Sequence, residues 1–186
     1  MSFVSLWFKA FDMKASVFIA TSLDGFIARE DGGIDWLPAN PEPHGYDEFI
    51  ASIDAIVIGR KTFETVLGFG GWAYGKTPVV VLSTKELKAP EGANCDFLSG
   101  DPRDVVAALE QRGIKHIYVD GGITIQRFLE AGLIQRLIIT RIPVLLGTGI
   151  PLFGPLSHDV PLTHVATKSF NGGLVQSEYT VGELHS

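Results

Sequence analysis

The chain reads as one three-layer α/β/α domain, with a mostly parallel central sheet, helices on both faces and an antiparallel C-terminal hairpin at one edge. Three observations predict it. Apolar runs such as Ala55-Ile56-Val57-Ile58 are continuous, as in parallel strands covered on both faces. They alternate with stretches whose apolar residues recur at helical spacing, the order that builds a parallel sheet through crossover helices. Only near the end do two segments alternate apolar and polar residues, around Asn171-Gly172-Gly173, which marks a hairpin.

Each element has its own warrant. Ala15 to Ala20 forms the first strand, and Thr21-Ser22-Leu23-Asp24-Gly25 turns the chain toward Phe26-Ile27-Ala28. Asp31-Gly32-Gly33 marks a loop, and the prolines between Pro38 and Gly45 exclude regular structure until a short helix at about Tyr46 to Ile53. Asp54 to Gly59 is a buried strand and Thr62 to Val66 a brief helix. The loop Gly68 to Gly75, carrying Trp72, precedes the strand Pro78 to Ser83. Asn94 to Leu98 reads as a short strand. Asp101 caps a helix that has Pro102 at its first position, runs to about Gln111 and has Gly113 just beyond. Ile114 to Val119 is a strand, Ile123 to Ala131 a helix ended by Gly132, and Arg136 to Pro143 a strand. Thr163 to Phe170 and Val175 to Val181 form the hairpin.

Composition narrows the function. A length of 186 residues with 46% hydrophobic content fits one well-buried domain, residues 13–186, preceded by an extension at residues 1–12 that lacks the marks of a secretory signal. A net charge of -6 with dispersed Lys and Arg disfavours a nucleic-acid partner. No apolar run approaches the roughly 20 residues of a spanning helix, so no membrane partner is expected. The single cysteine, Cys95, excludes an internal disulfide and fits a cytoplasmic setting. His44, His116, His158, His164 and His185 show no ligand-like pairing, so no metal is expected, and no serine sits in a nucleophile elbow.

Three strand ends suggest a phosphorylated, dinucleotide cofactor. Gly121-Gly122, with Ile123 and Thr124, follows an apolar strand and starts a helix, placing bare backbone amides where a pyrophosphate binds. Gly59-Arg60-Lys61-Thr62 brings two cations to a neighbouring end, and Ser83-Thr84-Lys85 adds two hydroxyls and a third cation, a set suited to an adenosine 2′-phosphate and so to NADPH over NADH. Taken singly, each also fits an ordinary turn or helix start. Asp24, in its Asp-Gly turn, and Asp47, with Glu48 at a helix start, are the candidate acids; each also fits a purely local role.

The segments IVIGRKTFETVLG (56–68), Val79 to Thr84, Ile117 to Leu129 and LIITRI (137–142) resemble dihydrofolate reductase in order and spacing. The runs SLDGFIA (22–28), AGLI (131–134) and PVLLGTGIPLF (143–153) are more similar to the reductase domain of the bifunctional riboflavin-biosynthesis deaminase-reductase and its stand-alone relatives. The resemblance covers roughly residues 14–181. It implies a dihydrofolate-reductase-like fold, often homodimeric, and an NADPH-dependent reductase acting on a small aminopyrimidine or pterin-like substrate. In the riboflavin type, hydride goes to the opened ribosyl group of an aminopyrimidine phosphoribosyl compound. It further implies that Ala20, Ile27 and the Leu146 to Gly149 turn, Gly147 included, line the nicotinamide side. Trp36 matches the loop tryptophan of the folate enzymes, and Thr140 the threonine that accompanies their helical acid at the substrate. Asp47 and Glu48 do not fall at the position of that acid. Reduction of folate or another small heterocycle, and a dinucleotide-binding module without turnover, are the alternatives.

Overall fold

The computed structural model describes residues 12–39 and 43–182. Of the expected extension only Asp12 falls among them; residues 1–11 lie outside. The chain runs β1 (Lys14–Ser22), β2 (Phe26–Ala28), α1 (Tyr46–Ala51), β3 (Ala55–Gly59), α2 (Arg60–Gly68), β4 (Val79–Leu82), β5 (Cys95–Leu98), α3 (Pro102–Gln111), β6 (His116–Asp120), α4 (Gly122–Glu130), β7 (Arg136–Ile142), β8 (Ile150–Pro151), β9 (Leu162–Ser169) and β10 (Val175–Val181).

Eight strands form one sheet in the order β5-β4-β3-β6-β1-β7-β10-β9. The first six are parallel, and β10 pairs antiparallel with both β7 and β9. The expected hairpin therefore closes one edge. Its turn is a single 3-10 turn, Asn171–Gly173, in which Gly172 and Gly173 take φ of 76° and 79°, a region that favours glycine.

Alternating residues of each inner strand face opposite layers. Val57, Val80, Ile117 and Val119 pack against α3 and α4 through Val105, Leu109, Ile125 and Phe128. Ile56, Ile58, Val79, Val81 and Tyr118 pack against α1 and α2 through Phe49 and Phe63. Both faces being covered is why the inner strands read as unbroken apolar runs. Burying a Leu, Ile or Phe is worth about 1.5–3 kcal/mol each, so these two layers supply most of the drive to fold.

One pairing was not anticipated. β8 lies antiparallel to β2, Phe26 opposite Pro151 and Ala28 near Ile150, making a small ribbon outside the main sheet. A Cβ on Gly149 would collide with Ala28 O, so glycine lets these strands meet. No helix among the described residues is long and apolar enough to cross a membrane.

Candidate active site

Parallel strands end on the same side, and along that rim opens a cleft of about 800 Å³. Its floor is made by the carboxyl ends of β4, β3, β6 and β1, represented by Leu82, Gly59, Asp120 and Ala20. Gly59 to Thr62, Gly121 to Thr124, Ala20 and Ile27 all line it, so two of the three expected phosphate-binding strand ends converge.

Two helix starts meet there in a reciprocal fit. A Cβ on Gly59 would lie 2.7 Å from Thr124 Oγ1 of α4, and a Cβ on Gly121 would collide with Thr62 Oγ1 of α2. Each helix's first-turn threonine thus occupies the space left by the other strand's glycine. Gly121 also sits at φ 92°, where a side chain is strained.

The two helices are electrically incomplete at these ends. α3 is capped by the Asp101 side chain, which accepts from Arg103 N at 3.0 Å, and carries Asp104 in its first turn. α2 and α4 have neither a side-chain cap nor a first-turn acid. Worse for α2, its first two residues are Arg60 and Lys61, cations at the positive end of the helix dipole. Glu64 relieves Arg60 in part, with contacts of 2.7 and 2.9 Å. An anion in the cleft would relieve the rest.

The acid in the cleft is Asp120, the last residue of β6 and half-buried. Burial pushes its carboxyl up to about 6, against a bond from Gly121 N at 2.8 Å that works the other way. Tyr118 donates to Phe18 O at 2.8 Å and lies against the same carboxyl. Tyr74, also lining the cleft, is pushed up by burial and by Asp120. Sequence reasoning passed over Asp120 as the end of an apolar run, although an acid closing such a strand just before two glycines was itself a signal. It also passed over Arg127, which lines the cleft from α4 and donates to Gly100 O at 3.2 Å. That arginine lies one and a half turns into α4, where only the apolar stripe had been read.

Several expected residues stand elsewhere. Asp24 is exposed and outside the cleft lining; its carboxylate accepts from Ser22 Oγ at 2.6 Å, Leu146 N at 3.1 Å and Gly147 N at 2.8 Å. The Ser22 hydroxyl, then the two amides, hold that carboxyl below its ordinary value. Asp24 therefore ties the β7–β8 loop to the turn after β1, and Gly147 belongs to that tie; from this loop it is Gly149, Ile150 and Pro151 that line the cleft. Asp47 is an exposed first-turn acid of α1, also outside the lining. Thr140 is buried, its hydroxyl accepting from Gln176 Nε2 at 3.0 Å. Trp36 lies between Ile34 and Leu37, which do line the cleft, and its indole N–H is buried without a partner. Ser83 exchanges bonds of 2.9 and 3.0 Å with the Lys85 backbone, and with Thr84 they form a local turn just past Leu82. Among the described residues no group of His, Cys, Asp and Glu is placed to hold a metal ion.

Residues 14–175 match the RibD C-terminal domain. A protein from Shewanella sp. PV-4 assigned to riboflavin biosynthesis superposes with a TM-score of 0.84 at 38% identity, over 92% of this chain and 100% of that one. The Thermotoga maritima diaminohydroxyphosphoribosylaminopyrimidine deaminase/5-amino-6-(5-phosphoribosylamino)uracil reductase does so with a TM-score of 0.70 at 17% identity, over 90% of this chain and 56% of that one. The dihydrofolate reductase of Enterococcus faecalis, complexed with NADP(H), gives 0.62 at 20% identity over 93% and 96% of the two chains, and shares the fold. A match of this extent, on a dihydrofolate-reductase-like sheet with its rim cleft, places the chain in the RibD C-terminal domain family.

Proposed function

We propose that this chain is an NADPH-dependent oxidoreductase that reduces a small aminopyrimidine- or pterin-like molecule, or the opened sugar attached to one. The observation that carries the reading is the pair of uncapped helix starts at the cleft, one of them opening with Arg60 and Lys61. Side by side they form an anion site that Glu64 and Asp120 neutralise only in part. The family membership and the NADP(H) complex of a structural relative support the same cofactor.

In this reading the pyrophosphate lies on the amides of Gly122 to Thr124 and of the α2 start. Arg60, Lys61 and Arg127 face the adenosine phosphate, and Arg60 exchanges Glu64 for it. Ala20 and Ile27 form the apolar wall for the nicotinamide, which supplies the hydride. Asp120, the acid at the end of β6 in the cleft lining, is the proton source in this reading: the substrate carbon takes the hydride, and the adjacent nitrogen or oxygen takes a proton from the Asp120 carboxyl, which recovers it from solvent.

Following NADPH absorbance at 340 nm with a ribosylaminopyrimidine, dihydrofolate and a small pterin tests this directly. Oxidation with at least one of them is the expected result. Calorimetric binding of NADPH without oxidation of any would instead favour the non-catalytic module.

A further inference from the structure

The main sheet comes apart beside the cleft. β1 pairs with β6 over only three residues, ending with Ser16 opposite Tyr118, whereas it stays beside β7 from Ser16 to Ser22. Lys14 N donates to Lys115 O, so residues 14, 16 and 18 of β1 turn their backbone groups toward β6. Continued, that register would give the Phe18 carbonyl the amide of Gly121. The amide goes instead to Asp120 Oδ1 at 2.8 Å, and the Phe18 carbonyl takes the Tyr118 hydroxyl at 2.8 Å. Two side chains of β6 have thus replaced one rung of the ladder. They stand two residues apart on one face of the strand, the hydroxyl against the carboxyl. Tyr118 is buried, and the Phe49 ring packs edge-on against it with centroids 5.1 Å apart, which fixes the phenol oxygen and leaves its hydrogen free to rotate.

Resting on the reductase reading above, we propose that Tyr118 is a positioning residue of the proton transfer: its hydroxyl donates to the Phe18 carbonyl while Asp120 holds a proton, and rotates to donate to the Asp120 carboxylate once that proton has passed to substrate. No heavy atom moves. The substrate carbon gains the hydride, its neighbouring nitrogen or oxygen gains the Asp120 proton, and the charge left on the carboxylate meets two donors, Gly121 N and the Tyr118 hydroxyl. Reprotonation from solvent returns the phenolic hydrogen to the Phe18 carbonyl. A hydroxyl suits this role because it both donates and accepts, and a charged acceptor outcompetes a neutral carbonyl. The other groups facing the carboxyl are the Tyr46 phenol of α1 and the Tyr74 phenol from the loop before β4; burial keeps all three phenols protonated where Asp120 titrates. The charged side chains that share the cleft lining are Glu30, Arg60, Lys61 and Arg127. Tyr118→Phe leaves that whole set in place and removes the rotating donor.

The test is the pH–rate profile of NADPH oxidation, with whichever of the three substrates above is turned over, for the unaltered protein and Tyr118→Phe. Loss of the donor is expected to move the alkaline limb up by about one unit, tenfold in proton affinity, and to lower the acid plateau several-fold. A merely structural tyrosine would lower activity or stability and leave the limb where it was, so coincident limbs overturn the proposal. Should Tyr118→Phe misfold because the Phe18 carbonyl loses its partner, 3-fluorotyrosine placed at position 118 keeps the ring and makes the hydroxyl a stronger donor. The limb is then expected to move down, and an unmoved limb overturns the proposal. The carboxyl-carbon resonance of Asp120, assigned by its loss in Asp120→Asn, is expected to titrate with the same shifts in protein saturated with NADP⁺; identical titration curves count against Tyr118 in the same way. NADPH oxidised with none of the substrates removes the reductase reading itself, whereas oxidation with coincident limbs removes only the part given to Tyr118.

Discussion

Asp120 joins two consequences in one side chain. Its carboxyl titrates near 6 in the folded chain against an ordinary 3.8, so the folded state holds more protons between those values. Stability then falls as pH rises from about 4 to beyond 6 and is flat above, a loss on the order of 2–3 kcal/mol at 1.36 kcal/mol per unit. Asp120→Asn has no such loss, and urea melts of the two proteins at pH 4.5 and 7.5 check the difference. If the same carboxyl supplies the proton, turnover of the unaltered protein declines above about pH 6, while Asp120→Asn is slower by on the order of 100-fold and loses that limb, with NADPH binding little changed. A second contrast concerns cations. Arg60→Ala is expected to weaken NADPH relative to NADH by about 1.5–3 kcal/mol, the worth of a charged hydrogen bond, whereas Lys85→Ala, outside the cleft, shifts neither by more than about 0.5 kcal/mol. Parallel calorimetric titrations with both cofactors decide it.

The helices and long strands were legible because their signals are local. Asp101-Pro102 and Gly113 bracket α3 as caps and stops do, and β3 declares its buried position through four consecutive apolar residues. The β2–β8 ribbon was not, because strands of three and two residues carry no period and their pairing depends on a glycine fitting a carbonyl far away in sequence. At the site, the glycine turns were read correctly as to place, since turn chemistry is written in adjacent residues. Asp24 was read as a candidate acid or a residue serving its own turn, and neither reading held its bonds to Leu146 and Gly147, which come from a loop 122 and 123 residues away. Ser83 to Lys85 likewise looked like a phosphate grip until their own turn consumed the hydroxyl of Ser83. At this scale the sharpest prediction is Gly121→Ala. Its positive φ and its collision with Thr62 are expected to cost about 2 kcal/mol or more and to abolish NADPH binding, read by thermal melts and calorimetry.

For the molecule as a whole, a ligand that binds only the folded chain raises the melting temperature by mass action. NADPH at 100 times its dissociation constant should add about 2.7 kcal/mol, and NADH at equal concentration less. Scanning calorimetry with each cofactor tests this, and the absence of any shift would contradict the cofactor assignment. The interlocked starts of α2 and α4 give that stabilisation a particular reach. These helices belong to opposite faces of the sheet, Phe63 in one apolar layer and Ile125 and Phe128 in the other, which β-strands otherwise keep apart. A pyrophosphate seated on both amide rows would act as a rivet through the rim. Amide protons on the two sides should then slow their exchange together, even in residues that never touch the nucleotide.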